Sequence, residues 1–131
     1  MPCFLRQDVA DEASWKESVA AALTRFGKLH ILVNNAGTIA RQSIVDTTVE
    51  AWNRTLAVNL TGAMLGMKHC APAIRDSGGG SIINISSVAG LTAHGDAAYT
   101  ASKWGLRGSL PPASRACATA CAKTSPPTAT D

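Results

Sequence analysis

A tyrosine and a lysine four residues apart, Tyr99 and Lys103 in the run Tyr-Thr-Ala-Ser-Lys, carry the clearest chemistry in this sequence. On a helix that spacing puts both side chains on one face. A phenol with its ordinary pKa of ~10 is a poor base near neutrality, but a neighbouring ammonium favours the phenolate. Lowering that pKa by ~3 units requires roughly 4 kcal/mol of differential stabilisation. A tyrosine tuned in this way gives a proton to a carbonyl or takes one from an alcohol. The same spacing also arises as a surface pair without chemistry, so the surrounding residues have to decide.

Ser87 closes the β-branched run Ser81–Ser87 twelve residues before Tyr99. Its hydroxyl can hold the substrate oxygen that Tyr99 protonates; a turn or cap residue is the alternative use, and Ser86 is the alternative serine. Asn34-Asn35-Ala36-Gly37 ends the aliphatic run Leu29–Val33. Parallel α/β sheets place their ligands beyond the carboxyl ends of the strands, so both segments should line one edge of the sheet. Ala36 and Gly37 leave room for a ligand against the backbone, and the two carboxamides can tie neighbouring loops together. Asn59, between Val58 and Leu60 on an otherwise apolar helix face, is either a site residue or a satisfied core amide.

The elements that must position these residues follow from periodicity. Cys3–Val9 reads as a short strand running into a loop. Asp11 caps a helix over Glu12–Phe26, whose Ala13, Val19, Ala20, Leu23 and Phe26 form an apolar face, and Gly27 stops it. Leu29–Val33 is aliphatic enough to be a strand covered on both faces. A second helix runs from Val49 through Met67 or beyond, with Trp52, Leu56, Leu60, Met64 and Met67 at spacings of three and four; Trp52, Met64 and Trp104 are assigned to core packing, with an interface between copies as the alternative use. Ser77-Gly78-Gly79-Gly80 is a turn, Ser81–Ser87 the third strand, and Ala97–Leu110 the last helix. The order is βαβαβα, an α/β fold of three parallel strands with right-handed crossovers. Residues 1–108 form the domain. Ser109–Asp131 holds four of the six prolines, six alanines and no aromatic residue, so it reads as a disordered or out-of-frame tail.

Composition removes several function classes. With 46% hydrophobic and 16% charged residues, the 131-residue chain is a globular domain. No run reaches the ~18 apolar residues of a membrane span, and no leader pattern follows Met1, so a cytoplasmic protein is expected. The net charge of +3 is scattered, which argues against nucleic acid. Cys3, Cys70, Cys117 and Cys121 lack paired Cys-x-x-Cys spacing, so no metal site is expected.

Taken together, Asp8-Val9, Asn34-Asn35-Ala36-Gly37, Val58-Asn59-Leu60, Ile83-Asn84-Ile85-Ser86-Ser87 and Tyr99-Thr-Ala-Ser-Lys103 resemble the short-chain dehydrogenase/reductase family in order and spacing. The resemblance covers residues 3 to 108. It implies a Rossmann-type doubly wound sheet and NAD(P)-dependent interconversion of a secondary alcohol and a ketone, with a small-molecule substrate of the hydroxysteroid kind and a homo-oligomer. By that resemblance Tyr99 is the catalytic acid/base and Ser87 orients the substrate oxygen. Lys103 lowers the tyrosine pKa and holds the nicotinamide ribose. Asn59 positions a water at a helix irregularity. Asp8 and Val9 contact the adenine, and Asn35, Ala36 and Gly37 line the cleft for NAD or NADP.

The sequence contains no Thr-Gly-x-x-x-Gly-x-Gly turn, the family's pyrophosphate cradle at a helix N-terminus. The resemblance therefore implies a partial Rossmann fold that starts at the third strand of a full-length member and lacks the C-terminal part. A catalytically inactive family member without stable cofactor binding is the alternative reading.

Overall fold

The computed structural model describes residues 1–109 and the backbone of 117–122. Helix α1 spans Glu12–Phe26, and its first turn is held by the Asp11 carboxylate, which accepts from the N–H groups of Ala13 and Ser14. Gly27 ends it in the left-handed region, φ 73°, where its N–H reaches the Leu23 carbonyl. Strand β1 (Ile31–Asn34) follows, then helix α2 (Val49–Leu56), a π-helical turn at Ala57–Thr61, and helix α3 (Gly62–Asp76). Strand β2 (Ser81–Ser87) leads through a short turn at Val88–Gly90 to helix α4 (Ala97–Gly108), and strand β3 occupies Cys117–Ala122.

The sheet has the order β1-β2-β3, and both pairings are parallel. Ile31 to Asn34 lie opposite Ser81 to Asn84, and Ile82 to Ser87 lie opposite Cys117 to Ala122. The first strand is therefore not where the sequence suggested. Residues 3–9 form no strand: among the described residues no neighbour pairs with them, and Phe4 is 92% exposed. Their end is instead consumed by the entry into α1. The Asp8 carboxylate accepts from the Ala10 N–H, its carbonyl from the Asp11 N–H, and the Val9 carbonyl from the Trp15 indole at 2.9 Å. Strand β3 lies inside the stretch read as a tail; the rest of that stretch, 110–116 and 123–131, falls outside the described residues.

Helices pack on one face of the sheet among the described residues. Leu32 and Ile82, opposite each other, meet Trp15 of α1 and Leu65, Cys70 and Ile74 of α3 in the core. The same face carries Asn34 and Asn84. The Asn34 amide donates to the Ala63 carbonyl and to the Asn84 carboxamide oxygen, so two buried polar side chains satisfy each other beneath α3. Gly66 makes this approach possible: a Cβ there would stand 2.5 Å from Asn34 Oδ1 and 2.8 Å from the Trp15 ring.

The other face is open at β1. Ile31 and Val33 are 61% and 52% exposed, so β1 alternates rather than being covered on both sides as its aliphatic run suggested. Met64 and Trp104 also differ from the core assignment, since both are exposed; Trp52 is half-buried. No helix among the described residues is long and apolar enough to cross a membrane.

Candidate functional site

The carboxyl ends of β1 and β2 and the start of α4 converge on a cleft of about 270 Å³. Asn35, Gly37, Ile85, Ser86, Tyr99 and Lys103 are among its lining residues. Lys103 is buried, and its ammonium donates to the Ile85 carbonyl at 3.0 Å. That bond and the helix hold Nζ 5.6 Å from the centre of the Tyr99 ring. Burial pushes the lysine pKa below its ordinary value, because the charged form loses water. Tyr99 is half-buried and packs edge-on against His94 with ring centres 5.9 Å apart. Among the described residues no group bonds to its hydroxyl, which leaves the phenol free for a ligand.

Asn59 forms the floor behind this pair. It is 1% exposed and sits in the π-helical turn, where the Gly62 N–H reaches back five residues to the Ala57 carbonyl. Its Oδ1 accepts from the Thr38 N–H at 2.7 Å, and its Nδ2 donates to the Thr38 carbonyl at 2.9 Å and to Ser102 Oγ at 3.0 Å. Ser102 in turn donates to the Tyr99 carbonyl. One side chain thus ties α4 to the loop after β1.

The two serines diverge, as neighbours on a strand must. Ser86 Oγ faces the backbone of α4 and donates to the Lys103 carbonyl at 3.4 Å. Ser87 is buried at the strand end, and its Oγ accepts from the Ala89 N–H as the cap of the following turn. Ser86, not Ser87, is among the residues lining the cleft around Tyr99.

A second hollow of about 210 Å³ adjoins the first through Asn35, and Val9, Asn34, Ala36, Val58 and Gly62 are among its lining residues. Val9 therefore lies with Asn35 and Ala36 along one hollow. Asp8 does not line either hollow; its carboxylate holds the turn into α1. Sequence reasoning also missed Asp96, Thr38 and Ser102. Asp96 had a local signal, an acidic residue three positions ahead of Tyr99 at a helix start. The other two had none, because their roles come from contacts made across the fold.

The short chain dehydrogenase family model matches residues 2–119. The chain belongs to that family. It is 52% identical over 106 residues to trans-4-hydroxycyclohexanecarboxylate dehydrogenase of Sinomonas cyclohexanicum, covering 80% of this chain and 40% of that protein. It is 44% identical over 109 residues to the 3-alpha-(or 20-beta)-hydroxysteroid dehydrogenase of Mycobacterium tuberculosis, covering 80% and 41%. Among solved structures, a chain from Burkholderia xenovorans assigned to the short-chain dehydrogenases/reductases superposes with a TM-score of 0.74 at 36% identity, covering 81% of this chain and 42% of that one. The chain thus spans about 40% of the length of the curated relatives it matches. The family match continues past Gly108 into the segment whose composition changes.

Proposed function

We propose that this site serves NAD(P)-dependent interconversion of a secondary alcohol and a ketone, with a cyclic substrate of the hydroxysteroid kind. The observation that carries the reading is the cleft itself: an unengaged Tyr99 phenol, with the buried Lys103 ammonium 5.6 Å from its ring, beside Asn35 and Gly37. Two relatives whose names denote dehydrogenases of ring alcohols support the substrate class.

In the alcohol-oxidising direction the Tyr99 phenolate removes the hydroxyl proton as the carbonyl forms; in reduction the phenol returns it. Lys103 favours the phenolate by its charge and offers its remaining N–H groups to a ribose hydroxyl. The Ser87 hydroxyl, which accepts from the Ala89 N–H and keeps its own proton to donate, orients the substrate oxygen, with Ser86 of the cleft lining as the alternative serine, and Asn59 anchors the relay side of the cleft through Thr38 and Ser102. A bound nicotinamide supplies the hydride acceptor or donor.

The residues present fit the nicotinamide-ribose end of such a cofactor. A Cβ on Gly37 would stand 3.5 Å from Asn59 Oδ1 and 3.8 Å from Lys103 Nζ, so the bare glycine leaves that corner open to a ligand. Val9, Asn35 and Ala36 line the adjoining hollow, which would receive the adenine side by the resemblance. The other reading is an inactive chain without stable cofactor binding.

Titration of the purified chain with NADH and NADPH, followed by nicotinamide fluorescence and carbonyl-dependent loss of absorbance, decides between them. Saturable binding and turnover are expected, and Tyr99→Phe should lower turnover at least a hundredfold with the fold kept. Absence of binding at millimolar cofactor refutes the enzymatic reading. Full activity in Tyr99→Phe refutes the role of the phenol.

A further inference from the structure

We infer that Asp96 is a positioning residue for Tyr99: one buried carboxylate ties the first turn of the catalytic helix to the loop that walls the cleft. The inference rests on the reading of Tyr99 as the acid/base. Asp96 is 3% exposed and caps α4. Its Oδ1 accepts from the Tyr99 N–H at 2.8 Å, as an N-cap does. Its Oδ2 does something a cap does not require. It accepts from the Arg41 N–H, also at 2.8 Å, across a sequence separation of 55 residues.

The loop is shaped to meet that oxygen. Arg41 has φ 57°, and among the described residues it is the one non-glycine in the left-handed region. That conformation is unfavourable for a side chain with a Cβ and persists where surrounding bonds impose it. Burial raises the pKa of the Asp96 carboxyl, but the N–H groups of Tyr99, Arg41, Gln42 and Ala40 more than reverse this and leave it below the ordinary value. The cleft-lining segment Gly37–Ile39 is therefore held at two points, by Asn59 at Thr38 and by Asp96 just beyond it. Since Asp96 also holds the Tyr99 backbone, the placement of the phenol against the opposite wall depends on this one carboxylate.

A cap alone and a clamp make different predictions for D96S. Serine caps helices well but has one short-reaching oxygen, so it keeps α4 and releases Arg41. In the full chain, D96S should keep its helical circular dichroism while the amides of Ala40, Arg41 and Gln42 exchange with deuterium at least tenfold faster. Adding R41G, which takes a positive φ without strain, should slow that exchange again, a rescue that loss of a cap would not show. In the turnover assay D96S should lower kcat at least tenfold with the cofactor KM within twofold.

Unchanged exchange at 40–42, or a uniform increase at every amide, overturns the clamp. Wild-type kcat in D96S overturns the positioning role even where the loop is released. If the wild-type chain does not turn over, the proposed function fails while the exchange comparison still decides the clamp. Should D96S fail to fold, D96N, which keeps one cap oxygen and faces Arg41 with an amide, carries the same comparison.

Discussion

Two buried asparagines do opposite jobs on the same side of this molecule. Asn34 spends its amide on Ala63 and Asn84 and is enclosed by α3 and Trp15, so its hydrogen bonds begin and end inside the core. Asn59 is buried more deeply, yet every bond it makes leads toward the cleft: Thr38 on the loop, and Ser102, which passes the connection to the Tyr99 backbone. The difference lies in what each network borders. A closed amide pair stabilises; one whose partners end at an open phenol also sets geometry.

Overpacking the closed network is the most disruptive way to break that contrast. Gly66→Val should cost roughly 1–3 kcal/mol or more, since both atoms in the way are buried and one is a tryptophan ring. Urea denaturation measures it, and a cost below about 0.5 kcal/mol would mean that α3 has room to move.

Asn59→Ala should cost about 1–3 kcal/mol, because Thr38 and Ser102 lose their partners. It should also lower turnover beyond what the lost stability explains. Asn84→Ala sharpens the comparison from the other side. Asn34 keeps the Ala63 carbonyl there, so the cost should be near 1 kcal/mol with turnover unchanged. Equal effects on turnover from the two alanines would erase the distinction.

The smallest effect is expected at the surface. Bonds from Lys68 and His69 lower the Glu12 carboxyl to about 2 from 4.5. Its contribution is present above pH 4.5 and is lost as pH falls toward 2, since protonation then breaks the α1–α3 link. Glu12→Gln should therefore flatten the acid limb of the urea midpoint between pH 4.5 and about 2, by little, because exposed ion pairs are weak. The lowered Asp96 carboxyl contributes with the same sign. An unchanged acid limb in Glu12→Gln would place the sensitivity elsewhere.

Much of the site was legible because its parts are local. Tyr99 and Lys103 needed only a helix, and Asn35 to Gly37 needed only to follow a strand. The parts that were not legible depend on a partner distant in the chain. Residues 3–9 have the composition of a strand but no neighbour to bond with among the described residues, whereas Cys117–Ala122, alanine-rich and unpromising, lies beside β2. Val33 is as aliphatic as Leu32, and only the placement of the helices makes one exposed and the other core.

By itself the sequence determined the helices, the strand that precedes the Asn-Asn-Ala-Gly turn, and the chemical groups brought to the cleft. Those follow from periodicity, caps and side-chain type, which act over one or two turns of chain. Tertiary structure alone decided that Ser86 lines the cleft around Tyr99 while Ser87 caps a turn, that the Asp8 carboxylate holds the turn into α1, and that Asp96 reaches Arg41 across 55 residues. Each of those outcomes is set by which backbone N–H stands within about 3 Å of an oxygen, and no local pattern encodes that distance.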